Sequence, residues 1–123
     1  MNVSITDAEL EVMRLLWREK KALTIAELRT ELERSKNWNK STINTLVSRL
    51  LKKCAIARLD RYGAAQYIPV VTEDDYMLAE EKALLEKFGN AKNLAIAMVR
   101  NGHLTDDDII ELQNYFKMGD DLK

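Results

Sequence analysis

The pattern of apolar positions divides the chain into a helical run, a short alternating stretch and a second helical run. Two helix starts look alike, Thr6-Asp7-Ala8-Glu9 and Thr24-Ile25-Ala26-Glu27. In each the Thr oxygen can accept from the backbone N–H three residues on, while the Glu reaches back to the N–H of the Thr. The first helix is predicted from about Asp7 to Glu19, with two apolar stripes, Ala8/Val12/Leu15/Leu16 and Leu10/Met13/Trp17. A helix covered on more than one side packs centrally. Residues 24–34 form a second helix with Ile25, Leu28 and Leu32 at three-and-four spacing, after a short connection that includes Leu23.

A polar break with an aromatic anchor follows, Ser35-Lys36-Asn37-Trp38-Asn39, and Asn39 can cap a third helix from Lys40 to about Cys54. Ile43, Leu46, Val47, Leu50 and Cys54 share one face of it. The opposite face holds Ser41, Asn44, Thr45, Ser48 and Lys52, with Lys40, Thr42 and Arg49 on its flanks. Three short helices, the last with a small-polar and basic outer face, is the order of a helix-turn-helix. The period then changes. Residues 55–61 alternate loosely, Tyr62-Gly63-Ala64 offers a turn, and residues 65–71 alternate again, with Pro69 near an end or on an edge. A two-stranded hairpin after such a helix is a wing.

Beyond it the chain is helical once more. One helix is predicted from Thr72 or Glu73 to about Phe88, stopped by Gly89-Asn90, and a second from Ala91 to Arg100, ended by Asn101-Gly102. Thr105 caps a third, with Asp106, Asp107 and Asp108 in the first turn, where the helix dipole favours negative charge. This segment is rich in apolar residues yet too short to bury them alone. A second copy of itself is the simplest cover. Leu84, Leu85, Phe88, Leu94, Met98, Ile109, Leu112 and Phe116 are the candidate dimer residues.

Charge sharpens the division. The net charge of −1 hides 13 Lys+Arg against 8 Asp+Glu in residues 1–72 and 6 against 12 in residues 73–123. A basic half next to an acidic half is expected when only one of them meets a polyanion. The boundaries are therefore set at 1–72 and 73–123. The fold class is mainly α, α+β by the wing: a winged helix-turn-helix followed by a three-helix dimerisation region.

Short hydroxyl and amide side chains let a helix lie in the ~12 Å major groove, with Lys and Arg reaching phosphate at its edges. Ser41, Asn44, Thr45 and Ser48 are candidates for base edges. Lys40, Thr42, Arg49 and Lys52, with Lys53, Arg58, Arg61 and Tyr62 nearby, are candidates for the backbone. The plainer reading of this helix is an amphipathic one with a solvated polar face. Trp17 and Trp38 are expected to pack between helices rather than stack on bases, Cys54 to be a buried thiol, and His103 a solvated loop residue.

Other chemistry finds little support. One Cys and one His exclude a disulfide framework and the usual zinc constellations. Four Gly and one Pro argue against a sandwich or barrel. No phosphate loop, nucleophile–His pair or paired carboxylates mark an enzyme, and no cofactor is expected. The first residues, Met1 to Asp7, lack the basic-then-apolar order of a signal peptide, and no window is long and apolar enough for a span. A cytoplasmic protein without membrane insertion is expected.

The stretch Trp38-Asn39-Lys40-Ser41-Thr42-Ile43-Asn44-Thr45-Leu46-Val47-Ser48-Arg49-Leu50-Leu51-Lys52-Lys53 closely resembles the recognition-helix region of the penicillinase repressors, the BlaI/MecI family. Asp7-Ala8-Glu9-Leu10-Glu11-Val12-Met13 with Leu16-Trp17, the wing end Gln66-Tyr67-Ile68-Pro69, and residues 104–112 are similar to other parts of that family. The resemblance implies a homodimeric transcriptional repressor on a palindromic DNA operator. In drug-responsive members a membrane sensor-protease system triggers cleavage within the C-terminal helices. Three departures stand out. Cys54 replaces a usual Gly, Ala97-Met98 aligns with the Asn-Phe cleavage position, and the tail from Met118 to Lys123 lacks the cysteines of the related copper-responsive repressors. The competing readings are a winged-helix adaptor that binds protein, and a sensor holding a small ligand at the dimer seam.

Overall fold

A computed structural model describes residues 4–121 of the backbone and side chains through Gly119. The reading of the first three residues and of the tail's last side chains lies outside them. The elements run α1 (Asp7–Glu19), β1 (Leu23–Thr24), α2 (Ile25–Lys36), α3 (Lys40–Lys52), β2 (Ile56–Arg61), β3 (Ala64–Pro69), α4 (Glu73–Phe88), α5 (Ala91–Arg100) and α6 (Asp106–Asp121). They fall into two compact units, one ending at Ala79 and the other beginning at Glu80, so the division lies inside α4.

Both Thr-to-Glu caps form as read. Thr6 Oγ1 accepts from the N–H of Glu9 at 3.2 Å, and the Thr6 N–H donates to Glu9 Oε1 at 2.9 Å. Thr24 and Glu27 repeat the arrangement at 3.2 and 3.0 Å. Glu27 is held below its ordinary pKa first by the Thr24 N–H. The core of the first unit follows from α1, whose Val12, Met13 and Leu16 have no exposed surface. Leu28 and Leu32 of α2, Ile43, Leu46, Val47 and Leu50 of α3, and Ile56 and Tyr67 of the strands close around them.

The sheet has three strands, not the two of a simple hairpin. β1 pairs antiparallel with β3, Leu23 opposite Tyr67 and Thr24 opposite Gln66, giving the order β1-β3-β2. Leu23 was expected in a plain connection, because two residues are too few for any period to register. The hairpin itself turns on Tyr62 and Gly63, with φ of 55° and 75°. Two consecutive positive φ values make a tight turn whose twist matches the flanking strands. Three helices with this wing are a winged helix-turn-helix.

α3 ends at Lys52, two residues before the expected Cys54. Cys54 itself takes a left-handed φ of 61°. Its N–H donates to Leu51 O at 3.0 Å and that of Ala55 to Leu50 O at 3.0 Å, while Ala55 and Leu50 are both fully buried. This is the doubly bonded helix end usually built on Gly. The reversal swings Cys54 off the apolar face, so the thiol expected in the core is exposed.

The second unit holds no fully buried residue among those described. Leu84, Phe88, Leu94, Ala97 and Met98 line one cavity of about 230 Å³. Leu112 and Phe116 remain exposed at 45% and 71%, with Ile110 and Tyr115 at 55% and 74%. Leu85 and Ile109 are half-buried. Asp108 caps α6 with Thr105, accepting from its N–H at 2.9 Å, which holds the carboxyl below its ordinary pKa. The aspartate string is a helix start, and no group of three metal-ligating side chains occurs among the described residues. No described helix is long and apolar enough to cross a membrane.

Candidate nucleic-acid interface

The outward face of α3 is set by its inward one. With Ile43, Leu46, Val47 and Leu50 buried, Ser41, Thr42, Asn44, Thr45, Ser48, Arg49 and Lys52 are all exposed. Asn39 caps the helix, its Oδ1 accepting from the Thr42 N–H at 2.8 Å. No acid occupies the first turn of α3. The positive end of its dipole is therefore left open to phosphate.

Two of the reading candidates are already partly committed. Thr45 Oγ1 donates to Ser41 O at 2.9 Å, so its hydroxyl proton is spent and it offers a methyl group and lone pairs. Asn44 Oδ1 accepts from Arg29 Nη2 of α2 at 2.9 Å. Arg29 was missed by sequence reasoning because its own helix shows only a solvated polar side there.

The basic candidates separate by their partners. Between Glu33 and Asp60 the chain has seven Lys or Arg and no acid. Arg34 pairs with Glu31, Lys36 with Glu11, Lys53 with Glu9 and Arg58 with Asp60. Lys40, Arg49 and Lys52 have no carboxylate within 4.0 Å among the described residues, and all three border the outward face of α3. Lys53, expected at the DNA backbone, is instead tied down: its ammonium donates to Glu9 and to Ser4 O at 2.8 Å. That position faces the start of α1.

Nor do the wing cations form one patch. Arg58 and Arg61 are three apart on β2, so their side chains leave opposite faces of the strand. Arg58 Nε donates to Asp60 at 3.1 Å. Arg61 lines an open cavity of about 540 Å³ with Lys20, Lys21 and Trp17. Tyr62 stands clear at the hairpin tip, 97% exposed.

Both tryptophans pack as expected. Trp38 lies partly buried against the core. Trp17 donates from its indole to Val71 O at 3.0 Å, and its ring meets Tyr76 at 5.7 Å between centroids.

The profile of the family described as "Penicillinase repressor" matches residues 5–118. The chain belongs to this family. It is 31% identical over 110 residues to the Penicillinase repressor of Bacillus licheniformis, an alignment covering 88% of this chain and 85% of that one. It is 34% identical over 112 residues to the methicillin resistance regulatory protein MecI of Staphylococcus aureus, covering 89% and 90%. Among solved structures, the Bacillus licheniformis BlaI monomer in complex with the blaP half-operator matches with a TM-score of 0.54 at 36% identity, over 59% of this chain and 88% of that one. MepR, a transcription regulator of a Staphylococcus aureus multidrug efflux pump, shares only the fold, at 17% identity and a TM-score of 0.52 over 98% and 82%. Cys54 closes the third helix with a left-handed turn although it is not a glycine.

Proposed function

We propose that this family member is a homodimeric transcriptional repressor that lays α3 in the major groove of a palindromic DNA operator. The observation that carries the reading is the outward face of α3: short polar side chains from Ser41 to Ser48, bordered by Lys40, Arg49 and Lys52, which have no carboxylate partner among the described residues. Such a face supplies base readout at its centre and phosphate contacts at its margins. The likeness to BlaI bound to the blaP half-operator supports it. Residues 73–123 supply the dimer contact through Leu84, Leu85, Phe88, Leu94, Met98, Ile109, Leu112 and Phe116, and the protein works in the cytoplasm, where its operator is.

Release follows loss of the dimer, by cleavage at or near Ala97-Met98 under a membrane sensor-protease system or by another stimulus. Gel retardation of the protein's own upstream DNA tests the repressor reading. A discrete complex that survives excess random DNA is expected. A shift equally well competed by random DNA overturns sequence-specific repression.

A further inference from the structure

Arg29 lies on α2, outside the face that reads DNA, yet its guanidinium reaches Asn44 at the centre of that face. Nη2 donates to Asn44 Oδ1 at 2.9 Å. Arg29 is half-buried, and its Nε is a buried donor without a partner among the described residues. No carboxylate lies within 4.0 Å of it among the described residues. An orphaned buried donor and an unneutralised charge both cost stability, so this placement does not serve folding.

The contact fixes the chemistry that Asn44 presents. A guanidinium only donates, so the amide atom facing it must be the oxygen, and Nδ2 with its two hydrogens faces away. A free Asn reads adenine by accepting from N6 and donating to N7 together. Here Oδ1 is held by a charge-assisted bond. Its second lone pair stays open, but the guanidinium beside it repels the positive hydrogens of the adenine amino group. What remains is a donor-only edge, complementary to the two acceptors of guanine, O6 and N7.

We infer that Arg29 and Asn44 form one reading unit that selects guanine over adenine at one position of each operator half-site. The inference rests on α3 lying in the major groove. Selection of full-length protein on a library of random-sequence DNA duplexes tests it, with wild type, Arg29→Met, Asn44→Ala and the double variant compared. Wild type should enrich a palindrome with guanine at a position that Asn44→Ala leaves unread. Arg29→Met should keep the palindrome and shift that position toward adenine by tenfold or more. In the Asn44→Ala background it should change nothing further. An unchanged preference in Arg29→Met, or a guanine that persists in Asn44→Ala, overturns the pairing while leaving the repressor reading intact. If Arg29→Met does not fold, Arg29→Ala takes its place, with the same shift toward adenine expected and the same unchanged preference overturning the pairing. Failure of wild type to enrich any palindrome removes the repressor reading and the inference together.

Discussion

The ammonium of Lys53 is bonded to the carboxylate of Glu9, 44 positions earlier in the chain. Glu9 is fully buried, and its Oε1 also accepts the Thr6 N–H, while Oε2 has no hydrogen-bond partner among the described residues. One carboxylate thus closes the start of α1 and anchors the end of α3. Burial pushes its pKa up, but the Lys53 and Thr6 hydrogen bonds outweigh that, and the net shift is downward from 4.5.

Removing Lys53 leaves that carboxylate buried with too few donors. Lys53→Met should cost about 2–3 kcal/mol, less than the ~3–5 kcal/mol of a fully buried broken pair because a third of the Lys53 side chain is exposed. A lowered carboxylate pKa stabilises the fold above its unfolded value, and that contribution disappears as pH falls through the folded one. Glu9→Gln should therefore lie below wild type in urea midpoint at pH 7, and the gap should close below about pH 4.5. A gap of constant size down to pH 3 would show that the ion pair contributes nothing.

Cys54→Gly should stabilise the protein. A non-glycine residue with φ of 61° carries a clash that Gly lacks, worth about 1 kcal/mol. Thermal melts of the two proteins should differ by several degrees, Gly above Cys. Cys54→Val should melt lower than either, since a β-branched side chain suits that region worst.

Positioning and reading separate by salt and sequence. Lys52→Ala should weaken binding to every duplex alike and reduce the salt slope by about one. Thr45→Ala should cost ~1–3 kcal/mol on the operator and much less on random DNA. Titrations on both kinds of DNA at several salt concentrations decide, and equal losses for Thr45→Ala would place it outside the groove.

A chain ended at residue 79 should fold on its own and melt above one ended at 72, because only the longer keeps Tyr76 against Trp17. The ring pair is worth about 0.5–1.5 kcal/mol. On the proposed dimer both should bind a palindrome far more weakly than the full chain, because joining two half-site readers raises the effective concentration at the second half-site. Equal affinity of the short and full chains would remove the dimer role of the C-terminal helices.

Scission within α5 should abolish tight binding although α3 is untouched, since the proposed dimer has to hold its two recognition helices ~34–36 Å apart. Ala97 and Met98 are half-buried within that helix, whose end is tied by His103 N–H to Met98 O at 2.9 Å. A sensor-protease specific for Asn-Phe should cut here slowly. Mass mapping after co-expression checks this, and a clean cut between Ala97 and Met98 would show the departure to be harmless.

Helices, caps and the wing turn were readable from residue order because each depends on neighbours within about four positions. Thr6 and Glu9, Asn39 and Thr42, and Tyr62 and Gly63 carry their own instructions. The outward face of α3 was readable for the same reason, since burying Ile43 and Leu50 leaves Asn44 and Ser48 no other side. Long-range pairing carries no such period. Leu23 became a strand only because Tyr67 lies opposite it, and Lys53 is tied to α1 only because Glu9 stands across from it. The third helix looked two residues longer because Cys54 continues its apolar spacing. Burying Ala55 against the core ends it earlier, at the cost of a left-handed residue without a glycine. Arg29 makes the same point, since nothing within α2 distinguishes it from its solvated neighbours. Its meaning comes from the packing of α2 on α3, which sets the guanidinium 2.9 Å from Asn44. A partner fifteen residues away, as here, is chosen by the shape of the core and not by the local pattern.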